Sequence, residues 1–193
     1  MGWLDRFKRK PAGLRLADVI GDYPPYTEPF PRPFGKLKLG EAEANFAHLV
    51  QVKDERLGRF GALLSRFGLD LHEGLTTQNP EAFLTGLVRW TADQWPDLRT
   101  PELEQQASWS YGGARASPAL GLVMDTGLLL GEMIVRRRPD FAWALNLDPD
   151  DRVMGDYRRP CVIRPAEGED FRELDDPIAW AWGAFRSDRK SVV

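Results

Sequence analysis

The run "PALGLVMDTGLLLGEMIVRR", from Pro118 to about Arg137, constrains this chain more than any other stretch. Its apolar residues cover nearly the whole circumference of a helix, and such a helix has to be enclosed on all sides. Asp125, Thr126 and Glu132 interrupt the run, so it is a poor membrane span, which takes about 20 predominantly apolar residues. The run therefore predicts a long central core helix. Ser117-Pro118 supplies its N-cap oxygen and first-turn proline, and Pro139 forces the chain out of helical geometry at its end. A length of 193 residues with seven Trp, ten Phe and four Tyr is ample for one aromatic-rich core around that helix.

A carboxylate in such a helix needs a partner. Arg136 lies one turn beyond Glu132 and is placed to pair with it. Asp125, seven residues back, is displaced by about 10.5 Å along the axis, too far to share a proton with Glu132. Glu132 is thus read as an interhelical or strand-anchoring ion pair, with a general acid or base as the alternative. Gly127 and Gly131 would let another backbone approach beside it.

Around this element the sequence predicts an α+β fold, a mainly helical single domain with a small antiparallel sheet. From Glu41 to about Phe67, Phe46, Leu49, Val50, Leu57, Phe60, Leu64 and Phe67 recur at three- and four-residue steps, and Gly68 supplies the stop. Asn79-Pro80, Thr100-Pro101 and Asp176-Pro177 repeat the polar-Pro helix start. They open helices over about Pro80 to Trp95, with Leu84, Leu87, Val88 and Trp95 on one side, over Pro101 to Gln106, and over Pro177 to about Phe185. Phe141, Trp143, Leu145 and Leu147 alternate with Ala142, Ala144 and Asn146, a strand signal. "DPDD" follows as a turn, and a second strand over Pro160 to Arg164 pairs back on the first. Two or three strands are expected in all.

Residues 1–39 read as a separate N-terminal arm, and 40–193 as the globular domain. The arm begins with a basic amphipathic turn, Trp3, Leu4 and Phe7 among Arg6, Lys8, Arg9 and Lys10, which could touch an anionic membrane over residues 1–10. It continues as "DYPPYTEPFPRPFGK", where proline density forbids helix and the aromatic rings are expected to pack across the domain.

Twenty-six basic against 29 acidic residues, a net charge of −3, argue against general nucleic-acid binding. One cysteine, Cys161, makes no intramolecular disulfide, so the cytoplasm is the expected compartment and Cys161 a small core hydrophobe. His48 and His72 have no metal-ligand spacing, and neither a metal nor a cofactor is expected. No nucleophile elbow, Walker loop or dinucleotide fingerprint occurs. Two ligand surfaces remain. In "SWSYGGARASPALG", Trp109 and Tyr111 could line a pocket, Arg115 could take a carboxylate or phosphate, and Ser117 opens a helix N-terminus, with Glu132 as the pocket's acid. From Asp148 to Asp176, ten acidic residues face five arginines, and Asp148, Asp150, Asp151 and Asp156 could meet a basic partner.

The piece "LGEMIVRRRPDFAW", Leu130 to Trp143, resembles small uncharacterised bacterial proteins that carry a Leu-Gly-Glu helix, a basic end and an aromatic strand. Some of these resemble immunity or accessory components of toxin and defence systems. The resemblance covers 14 residues and carries over no catalytic residue. What it implies, with the acidic segment, is a non-enzymatic protein-binding module. A small-ligand protein or enzyme centred on the Arg115 loop and Glu132 is the competing expectation.

Overall fold

Five α-helices and three strands make up the regular structure of a computed structural model that describes residues 13–100, 103, 117–152, 157–164 and 173–187. The α+β architecture read from the sequence is the one observed. Helix α1 (Leu39–Ser65) opens where the Glu41 side chain accepts the Lys38 backbone N–H at 2.8 Å, satisfying one first-turn donor. It stops at Gly68, whose φ of +78° is the left-handed conformation glycine adopts freely. Helix α2 (Leu71–Thr76), which the pattern did not predict, follows at once, capped by Asp70. Helix α3 (Glu81–Gln94) runs into a 3-10 turn over Trp95–Leu98. Leu87 and Trp95, expected on the apolar side, are buried together with Phe83 and Trp90, but Val88, expected there too, is exposed.

Helix α4 (Pro118–Arg137) is the central element. Ser117 Oγ accepts the Leu120 N–H at 3.2 Å, and 14 of its 20 residues are buried, so its apolar circumference is enclosed. Helix α5 (Pro177–Arg186) is capped by Asp176, packs on α4 more extensively than any other element does, and buries Trp182 while leaving Trp180 exposed. Asn79 accepts from Glu81 N–H and Thr100 from Leu103 N–H, so all four polar residues ahead of a proline accept a nearby backbone N–H, but at α3 Pro80 itself takes the N-cap position expected of Asn79. The helix expected over Pro101 to Gln106 otherwise lies outside the described residues.

Strands β1 (Ala142–Leu145), β2 (Pro160–Arg164) and β3 (Glu173–Asp175) form an antiparallel sheet in the order β1-β2-β3, with Trp143 opposite Val162 and Ile163 opposite Leu174. The alternation expected through Leu147 ends early. Asn146 is fully buried and Leu147 is exposed, because the Asn146 amide closes the following turn, accepting the Asp148 N–H at 3.1 Å and donating to Asp151 Oδ2 at 2.7 Å.

The proline-rich segment is packed, as its aromatics suggested. Leu16, Tyr23, Tyr26, Phe34 and Leu37 are buried in the same core as α1 and α4. Polar fastenings secure it. Asn45 of α1 accepts the Phe30 N–H at 2.9 Å and donates to the Phe30 carbonyl at 3.0 Å, and Gln94 accepts the Leu16 N–H at 2.8 Å. The basic turn at residues 1–10 lies outside the described residues.

Candidate functional site

Glu132 sits where three elements meet. It is 5% exposed. Lys53 of α1 forms an ion pair with Oε1, and the Trp143 indole N–H of β1 donates to the same oxygen at 3.0 Å. The Arg136 Nε reaches Oε2 at 3.5 Å. The sequence named Arg136 and missed the two closer partners, which come from segments 79 residues before and 11 residues after Glu132. Gly131 is what admits the tryptophan: a Cβ there would overlap the Trp143 ring. At Gly127 the close neighbour is backbone, with the Ile178 Cα of α5 only 2.6 Å from where a Cβ would stand. The two glycines make room for a ring and for a backbone respectively.

Asp125 belongs to a separate network. Arg56 of α1 donates to it through Nε and through Nη2, the latter at 2.9 Å, and Tyr23 of the arm donates its hydroxyl. The same guanidinium donates to the carbonyls of Pro24, Pro25 and Gly121 at 3.2, 3.2 and 3.3 Å. Burial pushes the Asp125 carboxyl up to about 6, outweighing the Arg56 and Tyr23 hydrogen bonds that hold it down. Burial first, then the charge of Asp125, raises the Tyr23 hydroxyl far above its ordinary range, so Tyr23 acts only as a donor.

These networks tie elements together, and Ser117 does likewise as the cap of α4. Fifteen residues of straight helix separate Ser117 from Glu132, about 22 Å, so the two do not share a pocket. Trp109, Tyr111 and Arg115 lie outside the described residues, as does Asp156. Of the remaining acidic candidates, Asp148 accepts the Asp150 N–H at 3.0 Å, and Asp151 is held by Asn146. Together they build a turn that exposes Leu147 and Asp150. The acidic segment is also partly neutralised: within it Asp176 pairs with Arg159 at 2.8 Å and Glu173 with Arg164, and Arg138, ahead of it, reaches Glu173 at 3.7 Å. Cys161 is fully buried on β2. Among the described residues no group of three or more His, Cys, Asp or Glu is placed to hold a metal ion.

The concave feature that sequence reading did not find is a groove of about 670 Å³ between α1, α2 and the end of α4. Its floor is Leu57, Leu69, Leu71 and Leu75. Along α1 it follows Asp54, Gly58, Gly61 and Ser65, a strip at three- and four-residue spacing. Arg136 closes the α4 side, and Asp70 and His72 stand on the rim. Arg136 therefore touches both Glu132, behind it, and the open groove, in front. Its guanidinium is half-exposed, and among the described residues its two terminal nitrogens carry no hydrogen bond. Gly58 was the available signal in the sequence, a glycine within a strongly periodic helix, but the groove around it is shaped by α2, which the pattern did not predict, and by Arg136 of α4. No protein-family model, curated protein or solved structure matches this chain.

Proposed function

We propose that this chain is a non-enzymatic protein-binding module, and that the groove beside α1 receives an amphipathic helix of its partner. Gly58 is the observation that carries the reading. In the middle of a 27-residue helix a glycine costs about 1 kcal/mol relative to alanine. At Gly127 and Gly131 neighbouring atoms occupy the place of a Cβ, but a Cβ on Gly58 would meet nothing within 4 Å. Packing within this fold does not call for that glycine, whereas close approach by an outside helix does. The strip from Asp54 to Ser65 is about 17 Å long, roughly three helical turns, which suits the helix-in-groove mode of recognition. Charge narrows the occupant further. Asp54 has no hydrogen bond or ion pair among the described residues and would meet a basic side chain, and Arg136 would meet a carboxylate.

Neutralisation of a bacterial toxin, or an accessory role in a bacterial defence system, is the most specific form of this proposal and rests on the resemblance of Leu130 to Trp143. A cytoplasmic setting fits the single buried thiol of Cys161. A second reading, a small-ligand protein, draws on the groove's volume, which falls in the range of about 300–1,000 Å³ usual for such sites. This second reading places the ligand beside α1, whereas the competing expectation from the sequence centred it on the Arg115 loop and Glu132.

The test is affinity capture from lysate of the native host with the chain and its Gly58→Leu variant as baits. Leucine favours helix, its Cβ at this position would meet nothing within 4 Å, and its side chain would occupy the groove. One stoichiometric protein held by the native chain and released by Gly58→Leu is the expected result. Equal retention by both baits refutes the groove. An empty native bait, with a small-molecule thermal shift that Gly58→Leu abolishes, replaces the protein partner with a ligand.

A further inference from the structure

Glu28, in the middle of the arm, is 4% exposed. Among the described residues neither a hydrogen bond nor an ion pair reaches its carboxylate, and Oε2 is buried without a partner. The fastenings of the arm lie on either side of it. Tyr23 is bound to Asp125 and the Pro24 and Pro25 carbonyls to Arg56 before it, and Phe30 is clamped by Asn45 after it. A buried ion without a partner is not tolerated; the group takes up a proton or leaves.

We propose that residues 13–37 are a pH-dependent strap, fastened across α1 and α4 while Glu28 is protonated and loosened as Glu28 ionises. Loosening uncovers the surface that holds Asn45, Arg56 and Asp125. This inference is independent of the groove: Asn45 and Asp54 are nine residues apart on α1, two and a half turns, and so lie on opposite sides of the helix.

Burial pushes the Glu28 carboxyl up to about 8, which agrees with the absence of a partner. The seated arm therefore holds its proton more tightly than the released arm, in which Glu28 faces water. The seated state has its full advantage below about pH 4.5 and loses it as pH rises to about 8, tenfold in the seated-to-released ratio for each unit within that window. Other charged and titratable groups meet the same part of the arm. Tyr26 is the one beside Glu28 on the arm, its hydroxyl raised first by burial and then by the Glu28 charge. From α1 come Arg56, its guanidinium 5.3 Å from the Tyr26 ring, and His48, its ring 6.0 Å from the same ring. From α4 comes Asp125. Asp125 titrates with the same sign, but its range ends at about pH 6, so a change between pH 6 and 8 that vanishes with the Glu28 carboxyl belongs to Glu28.

Residue-resolved hydrogen exchange of the full chain reads this directly. The Leu16 and Phe30 amides donate to Gln94 and Asn45, so both report arm opening. After correction for intrinsic exchange, their protection is expected to fall about tenfold per pH unit, or roughly a hundredfold from pH 6 to 8. In Glu28→Gln, which has nearly the same shape and cannot ionise, the protection of Leu16 and Phe30 should stay flat. Flat protection in the native chain overturns the proposal whatever the variant does, and so does an equal slope in the native chain and Glu28→Gln.

Discussion

Truncating either member of the Arg56–Asp125 pair should destabilise the fold, by amounts that differ for a reason visible in the structure. Arg56 is 7% exposed and Asp125 fully buried. Removing one partner of such a pair leaves an uncompensated charge and costs on the order of 3–5 kcal/mol. In Asp125→Leu the guanidinium stays charged at any working pH, with only the carbonyls of Pro24, Pro25 and Gly121 around it. Tyr23 also loses the acceptor of its hydroxyl, a further cost of about 1–3 kcal/mol. Asp125→Leu should therefore reach the upper end of the range. In Arg56→Met the burden falls on Asp125, whose carboxyl already lies up at about 6 and can take a proton at neutral pH instead of remaining a bare ion. That variant should be the milder, near the lower end.

The double variant replaces the pair with apolar side chains and leaves no buried ion, so it should lose less than the two single losses added, by about 2 kcal/mol. Urea unfolding at pH 7.5, followed by tryptophan fluorescence and extrapolated linearly, measures all three. Additivity within about 0.5 kcal/mol would refute the pairing. Arg56→Met as costly as Asp125→Leu would refute the explanation by protonation.

Gly58→Ala should raise stability by about 1 kcal/mol, since a methyl there meets open space. Gly127→Ala should lower it by up to about 2 kcal/mol, because overpacking against the Ile178 backbone exceeds the gain in propensity; thermal melts should rank Gly58→Ala above native and native above Gly127→Ala. Trp143→Phe removes the indole donor to Glu132 while Lys53 keeps the charge paired, a loss of about 1.5–3 kcal/mol by urea unfolding. Glu28→Gln and native chain should be nearly equal in stability at pH 5. The variant should then gain on the native chain by about 1.4 kcal/mol per unit towards pH 8, because the raised carboxyl makes the native fold lose stability as pH rises.

Local chemistry made most of the helices legible. Each polar-Pro start depends on an oxygen and a ring within three residues, and Gly68 marks the end of α1 by its own backbone. The run in α4 announces its enclosure because no side of it is polar. Legibility fails where a residue's partner is remote. Val88 fits the apolar period of α3 as well as Leu87 does, yet it faces solvent because neighbouring elements cover only the other side. Asn146 reads as the polar half of an alternation, and only the turn to Asp151 explains its burial. The Tyr23–Asp125–Arg56 network draws on three segments separated by 102 and 69 residues, and periodicity carries no information over such spans. The groove was missed for a different reason: its floor comes from α1, the turn after it and α2, and α2 is a six-residue helix too short to show a period.

The question posed by Glu132 turns on its neighbours. A carboxylate held by Lys53 of α1 and Trp143 of β1 fixes where α4 lies against both, and that is architecture. Arg136, on the outer side of the same carboxylate, is the only member of the cluster that lines the groove. Its aim into the groove is therefore set from behind, by whatever sets the position of Glu132. If the groove takes a partner's carboxylate on Arg136, Trp143→Phe should weaken capture of that partner although Trp143 does not line the groove. Arg136→Lys should weaken it too, because an ammonium cannot span two carboxylates as a guanidinium does. A Trp143→Phe bait that retains its partner at full strength would limit Glu132 to holding the fold together.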